Sequence, residues 1–171
     1  MNILDMKKNS FELFKSITTL IYDFDGVMTD NTFFQDSDGK EIVKLNRSDG
    51  YAIRVLKDNG LNQFILSSEK NNVVKKRAEK IDIPAFTGIL DKACKLKALA
   101  IECGFFLDAT AYIGNDVNDL EAMKLCKLSL APSDSNKDIL EIADIKLKSK
   151  GGEGVIREVL ELICPKETQL N

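Results

Sequence analysis

The chain has 171 residues, 44% of them hydrophobic and with few Pro or Gly, and a formal net charge of -3. That is enough for one domain with a real core, and it excludes a disordered or fibrous protein. No basic stripe with interleaved aromatics appears, so nucleic acid is not an expected partner, and no apolar run reaches membrane-spanning length.

Residues 1–16 lack the apolar core and cleavage site of a signal peptide. Cys94, Cys103, Cys126 and Cys164 have neither C-x-x-C nor zinc-like spacing, and read as scattered apolar positions without disulfides in a reducing compartment. A cytoplasmic protein is expected, with residues 1–171 forming a single domain whose core runs from about 17 to 164.

In chain order, a short helix is expected over Met6–Lys15 and a buried strand over Ile17–Tyr22, which is β-branched and apolar rather than alternating. Thr32–Gln35 and Glu41–Leu45 flank Asp36–Gly39, the composition of a β-hairpin. From Asp49, the spacing of Ile53, Val55 and Leu56 predicts a helix ending near Gly60. Further strands are expected at Gln63–Leu66, Ala85–Thr87, Ala111–Ile113, Leu128–Ala131 and Ile145–Leu147. Helices are expected at Lys70–Ile81, Lys92–Cys103, Leu120–Leu125, Lys137–Ile142 and Val155–Ile163. Strands alternating with helices imply an α/β fold with a doubly wound, mostly parallel, Rossmann-like sheet, and a small hairpin inserted after the first strand. Ligands of such sheets bind at the carboxyl ends of the strands.

The first strand runs into Asp23-Phe24-Asp25-Gly26-Val27-Met28-Thr29-Asp30. In extended geometry Asp23 and Asp25 point the same way, and Gly26 allows a sharp turn just beyond them. Like charges that close need a cation or a proton between them. An isolated D-x-D is usually a capping strand end, but D-x-D-G-x-x-T-D after an apolar strand is far more specific.

This stretch resembles the first motif of the haloacid dehalogenase superfamily of phosphohydrolases. The resemblance implies that Asp23 is the nucleophile and that Asp25 is the general acid/base. The lack of His in the whole chain excludes a histidine nucleophile, a His-based triad and His-ligated zinc, but costs a carboxylate-only site nothing. A carboxylate can accept a phosphoryl group when a hard divalent cation, here expected to be Mg2+, offsets the repulsion from an anionic ester.

Ser67 fits the superfamily's second motif, a hydroxyl on the transferring phosphoryl group, although Ser67 or Ser68 could equally cap the next helix. Lys92 fits the third motif, in which a lysine neutralises nucleophile and phosphate, and at a helix start it opposes the dipole. Gly114-Asn115-Asp116-Val117-Asn118-Asp119 fits the fourth. It departs from the commoner pattern, in which Asp, a direct metal ligand, follows the Gly. Either Asn115 is a neutral ligand or Asp116 takes the role, and Asp119 holds Lys92 or a metal-bound water. Asp119 could also serve as a helix cap.

Asn46-Arg47-Ser48-Asp49-Gly50, Asp91-Lys92 and the segment from Lys150 to Glu158 resemble a capless branch that dephosphorylates sugar acids: 3-deoxy-manno-octulosonate 8-phosphate phosphatases and relatives acting on acylneuraminate-type 9-phosphates. The resemblance implies substrate contacts from Asn46, Ser48, Asp49, Glu69, Arg77, Lys80, Gly152 and Glu153. It also implies a homotetramer in which hairpins line a barrel and a neighbour's Gly-rich segment helps close each site. Gly151, Gly152 and Gly154 suit close backbone approach to a ligand, or form a mobile loop before the last helix. Glu69 with Arg77 and Lys80 resembles the nine-carbon version. A rival expectation is a quiet tetramerisation module like those fused to acylneuraminate cytidylyltransferases, favoured by Asn115. A phosphotransferase or mutase would want a cap to exclude water.

Overall fold

The computed structural model describes residues 12–164. Of the expected helix at Met6–Lys15, residues 12–14 are helical and the part before residue 12 lies outside the described residues.

Six strands form one parallel sheet: β1 (Thr19–Tyr22), β4 (Asn62–Leu66), β5 (Ala85–Phe86), β6 (Thr110–Ile113), β7 (Leu128–Ala131) and β8 (Ile145–Lys146), in the order β5-β4-β1-β6-β7-β8. β2 (Phe34–Gln35) and β3 (Glu41–Ile42) pair antiparallel as the separate hairpin. The chain leaves β1 toward β4 on one side and β6 on the other, so the crevice at a change of strand order opens beyond Tyr22.

β1 is buried along its whole length because helices cover both faces. Leu20 and Tyr22 face a core shared with α1 (Arg47–Asp58), α2 (Asn72–Ile81) and α6 (Val155–Ile163), through Ala52, Ile53, Val74, Ala78, Ile156 and Val159. Ile21 faces the opposite core with α3 (Lys92–Cys103), α4 (Leu120–Met123) and α5 (Lys137–Ile142), through Leu96, Leu99, Met123 and Ile139. Among the described residues no helix is long and apolar enough to cross a membrane.

The boundaries that moved are set by side-chain caps. Asn46 accepts from the Ser48 amide and starts α1 before Asp49. Asn71 accepts from the Val73 amide and starts α2 after Lys70, so neither Ser67 nor Ser68 is its cap. α3 begins at Lys92 as expected, capped by Asp91. The helix expected over Leu120–Leu125 is α4, which starts at Leu120, ends at Met123 and is preceded by a short 3₁₀ turn, Val117–Asp119. Cys94 and Cys103, read as apolar positions, are exposed.

Candidate active site

Four loops meet at the carboxyl end of β1. Its last residue pairs with Ile65 of β4 and Ile113 of β6, which brings the segments carrying Asp23, Ser67 and Asn115 to one edge. The Asp23 amide donates to Ile113 O at 2.9 Å, continuing the ladder into the turn. Gly26 then reverses the chain at φ +78°. A Cβ there would lie 1.9 Å from one end of the Asn115 amide, so the position admits no side chain.

Lys92, 1% exposed, is the centre of the cluster. Its Nζ lies 2.8 Å from Asp23 Oδ2 and 2.7 Å from Asp119 Oδ1. Asp119 also accepts from Tyr112 Oη at 2.8 Å and from the Asn115 amide at 3.0 Å, so it fixes both the lysine and the fourth-motif turn. Gly114 is glycine because a Cβ would sit 2.7 Å from the Asp119 side chain.

Two carboxylates share one ammonium, leaving one excess negative charge in a dry place. Burial, followed by the Asp119 charge, raises Asp23 well above the ordinary carboxylate range. Burial works against the charge on Lys92, yet Asp23 and Asp119 outweigh it and raise that pKa. Asp25 is raised too, first by burial and then by Glu69 and Glu41, against a hydrogen bond donated by Thr29 Oγ1 at 3.1 Å.

Asn115, 7% exposed, turns one polar atom of its amide toward Asp25 O at 2.9 Å and Asp23 Oδ2 at 3.2 Å. Asp116 faces elsewhere, accepting from the Val117 amide at 2.7 Å and from Asn136 Nδ2 at 3.3 Å. Of the two candidate ligands, therefore, Asn115 is the one beside Asp23. Oxygens at right angles around a cation at about 2.1 Å are about 3 Å apart. The Asn115 amide atom lies at that spacing from both Asp23 Oδ2 and Asp25 O, which makes the three candidates for one such set. Two of the three are a main-chain carbonyl and an amide, consistent with the absence, among the described residues, of any metal-capable group of three His, Cys, Asp or Glu.

Ser67 is 1% exposed at the end of β4, and its Oγ accepts from the Glu69 amide at 3.1 Å. Glu69 and Lys80 are exposed. Arg77 is 9% exposed: it donates to Asn46 O at 3.0 Å while its Nε has no partner. With Lys40, Lys76 and Lys80 it lines a cavity of about 620 Å³ beside the hairpin.

Other expected substrate contacts also hold bonds within the chain. Asn46 Oδ1 accepts from the Ser48 amide and hydroxyl at 2.9 and 2.8 Å, and Asn46 Nδ2 donates to Gly152 O at 3.3 Å. The Gly152 amide donates to Val27 O at 3.0 Å, and a Cβ on Gly151 would lie 2.5 Å from Gly26 O. These glycines are required by backbone packing on the chain's own first motif, and they are buried, not a mobile loop. Between Gly151 and Gly154, Glu153 is the exposed residue.

Asp49 is 1% exposed and accepts from the Arg157 amide at 3.1 Å, at the start of α6. Its Oδ2 has no partner, and burial lifts its pKa to about 6. A raised folded-state pKa means that its contribution to stability is fully present below the unfolded value, about 3.9, and is lost as pH rises through about 6. At about 1.4 kcal/mol per unit the loss approaches about 3 kcal/mol. Urea unfolding at pH 4.5 and 7.5 should show Asp49→Asn gaining on the wild type at the higher pH; parallel changes in the two proteins would refute this.

Two contributors carry signals that the motif reading left unassigned. Thr29, inside the first motif, accepts from the Gly26 and Asn31 amides and steadies Asp25. Tyr112 is fully buried, and its hydroxyl needs an acceptor, which Asp119 supplies.

A family model described as haloacid dehalogenase-like hydrolase matches residues 7–159. The 3-deoxy-D-manno-octulosonate 8-phosphate phosphatase KdsC of Haemophilus influenzae is 31% identical over 150 residues, covering 87% of this chain and 83% of that one. A HAD family hydrolase structure from Streptomyces avermitilis superposes with a TM-score of 0.87 at 37% identity, covering 90% of this chain and 88% of that one. The 3-deoxy-D-manno-octulosonate 8-phosphate phosphatase of Moraxella catarrhalis, solved with magnesium, phosphate and KDO, gives 0.88 at 28% identity, covering 92% and 91%.

Proposed function

The chain belongs to the haloacid dehalogenase-like hydrolases, and from that membership we propose a phosphatase that removes the terminal phosphate of a sugar acid through a phosphoryl group carried on Asp23. The observation that carries this reading is the contact of Asp23 with both Lys92 and Asn115.

Asp23 attacks phosphorus, a P–O bond forms, and the bond to the sugar oxygen breaks. Asp25, whose raised pKa favours the protonated form, gives its proton to the leaving oxygen. It then takes a proton from the water that attacks the phosphoryl-aspartate, which releases phosphate and restores Asp23. Lys92 offsets charge on Asp23 and on the phosphoryl oxygens, and the Ser67 hydroxyl donates to the latter. Asp23, the Asp25 carbonyl and Asn115 would hold Mg2+, which supplies charge neutralisation at the phosphoryl oxygens. The relative solved with magnesium, phosphate and KDO supports magnesium as the cation.

The sugar's carboxylate fits the cationic cavity of Arg77 and Lys80, and Glu69, near Asp25, fits its hydroxyls. The exposed apolar side chains of the hairpin, Phe33, Phe34 and Ile42, support a homotetramer assembled through hairpins. The test is phosphate release with Mg2+ from 3-deoxy-manno-octulosonate 8-phosphate, an acylneuraminate-type 9-phosphate and glucose 6-phosphate. We expect kcat/KM for a sugar acid at least about tenfold above that for the neutral sugar, since a buried guanidinium left without its anion costs over 1 kcal/mol. No release from either acid, with the protein folded, would favour the quiet tetramerisation module.

A further inference from the structure

The Asn115 amide lies where its two ends have opposite consequences. Its neighbours, Asp25 O at 2.9 Å and Asp23 Oδ2 at 3.2 Å, are both acceptors. With Nδ2 toward them, both receive a hydrogen bond; with Oδ1 toward them, three oxygens converge and require a cation. An amide is nearly isosteric end for end but donates from one end and accepts at the other. The backbone on either side is pinned, the Asn115 amide donating to Asp119 Oδ2 at 3.0 Å and its carbonyl accepting from the Asn136 amide at 2.8 Å. Gly26 leaves the space in which the side chain turns, since any Cβ would occupy it.

The geometry points to an amide that takes the cation's place in the metal-free protein, its NH2 group hydrogen-bonded to Asp23 and to the Asp25 carbonyl, and that turns over to offer Oδ1 when a divalent cation enters. This rests on the reading of Asp23, Asp25 and Asn115 as the cation's ligands. An aspartate at this position would do the reverse. It would add a third oxygen charge to an already acidic cluster without metal, and a stronger ligand with it. The amide therefore exchanges metal affinity for a site that is hydrogen-bonded and preorganised in the absence of metal.

Three measurements test it on the full chain. In 15N-resolved NMR spectra with EDTA and then with saturating MgCl2, the Asn115 side-chain NH2 pair should shift and lose protection from solvent exchange. In calorimetric titration with MgCl2, Asn115→Asp should bind at least about tenfold more tightly than wild type. Its melting temperature should be lower than wild type in EDTA and rise further on adding Mg2+. A wild-type protein that releases phosphate with Mg2+ while these resonances stay unmoved would overturn the turnover and leave the phosphatase reading standing. A protein without phosphatase activity whose resonances still move would do the opposite. Equal Mg2+ affinity of the folded Asn115→Asp protein and wild type would also overturn the proposal.

Discussion

Asp23→Asn is expected to lower phosphate release by roughly 10⁴-fold or more, the scale seen when the attacking group of a covalent mechanism is removed. An amide nitrogen or oxygen is a poor nucleophile toward phosphorus, and the neutral side chain also weakens the attraction for a divalent cation. The shape is nearly unchanged, and Lys92 retains Asp119 at 2.7 Å. The variant should therefore stay folded: removing a carboxylate whose charged form is disfavoured by burial relieves part of the local repulsion. Circular dichroism alongside the phosphate assay separates the two effects. A folded variant retaining activity within about tenfold of wild type would remove Asp23 from the chemistry.

Lys92→Met is expected to damage both stability and turnover. The ammonium is 1% exposed between carboxylates at 2.8 and 2.7 Å. Its loss leaves Asp23 and Asp119 facing each other without compensation. Removing one partner of a buried ionic cluster typically costs about 3–5 kcal/mol. Turnover should fall by roughly 10²–10³, the usual cost of losing one preorganised donor to developing charge. The pH dependence has a definite sign. In the wild type the raised Lys92 pKa gives stability that is present below the unfolded value, about 10.4, and is lost only as pH rises through the folded value. In the variant Asp23, already raised by burial, also loses the ammonium that held it down, so stability should recover as pH falls and its proton returns. Urea unfolding at pH 5 and pH 8 reads this directly, and a variant equally stable at both would refute the clustered-charge account.

The strands were legible because burial on both faces writes continuous apolar runs such as Leu20-Ile21-Tyr22. Helix starts were less so where an asparagine side chain, rather than periodicity, decides them, as Asn46 and Asn71 do. The 3₁₀ turn Leu107–Ala109 is too short to leave a pattern. Asp23, Asp25, Ser67, Lys92, Asn115 and Asp119 could be picked out because they match the motifs of the resembled superfamily, and each follows a strand or starts the helix beyond one, where parallel strands deliver their ends to one edge. Asn46 and Asp49 read as ligand contacts, and each also bonds within the chain to a partner, Gly152 and the Arg157 amide, more than a hundred residues away in sequence. No local signal marks such long-range hydrogen bonds. The choice between Asn115 and Asp116 likewise depended on which way each side chain turns.

The central claim is a phosphoryl group carried transiently on the first aspartate. Rapid quenching of the wild-type protein with a phosphate-labelled sugar acid phosphate and Mg2+, followed by peptide mapping, tests it most directly. The account predicts acid-stable label, within the first turnover, on the peptide containing Asp23 and none in Asp23→Asn. Release of phosphate in a single turnover without label on that peptide, or with label on another side chain, would contradict it.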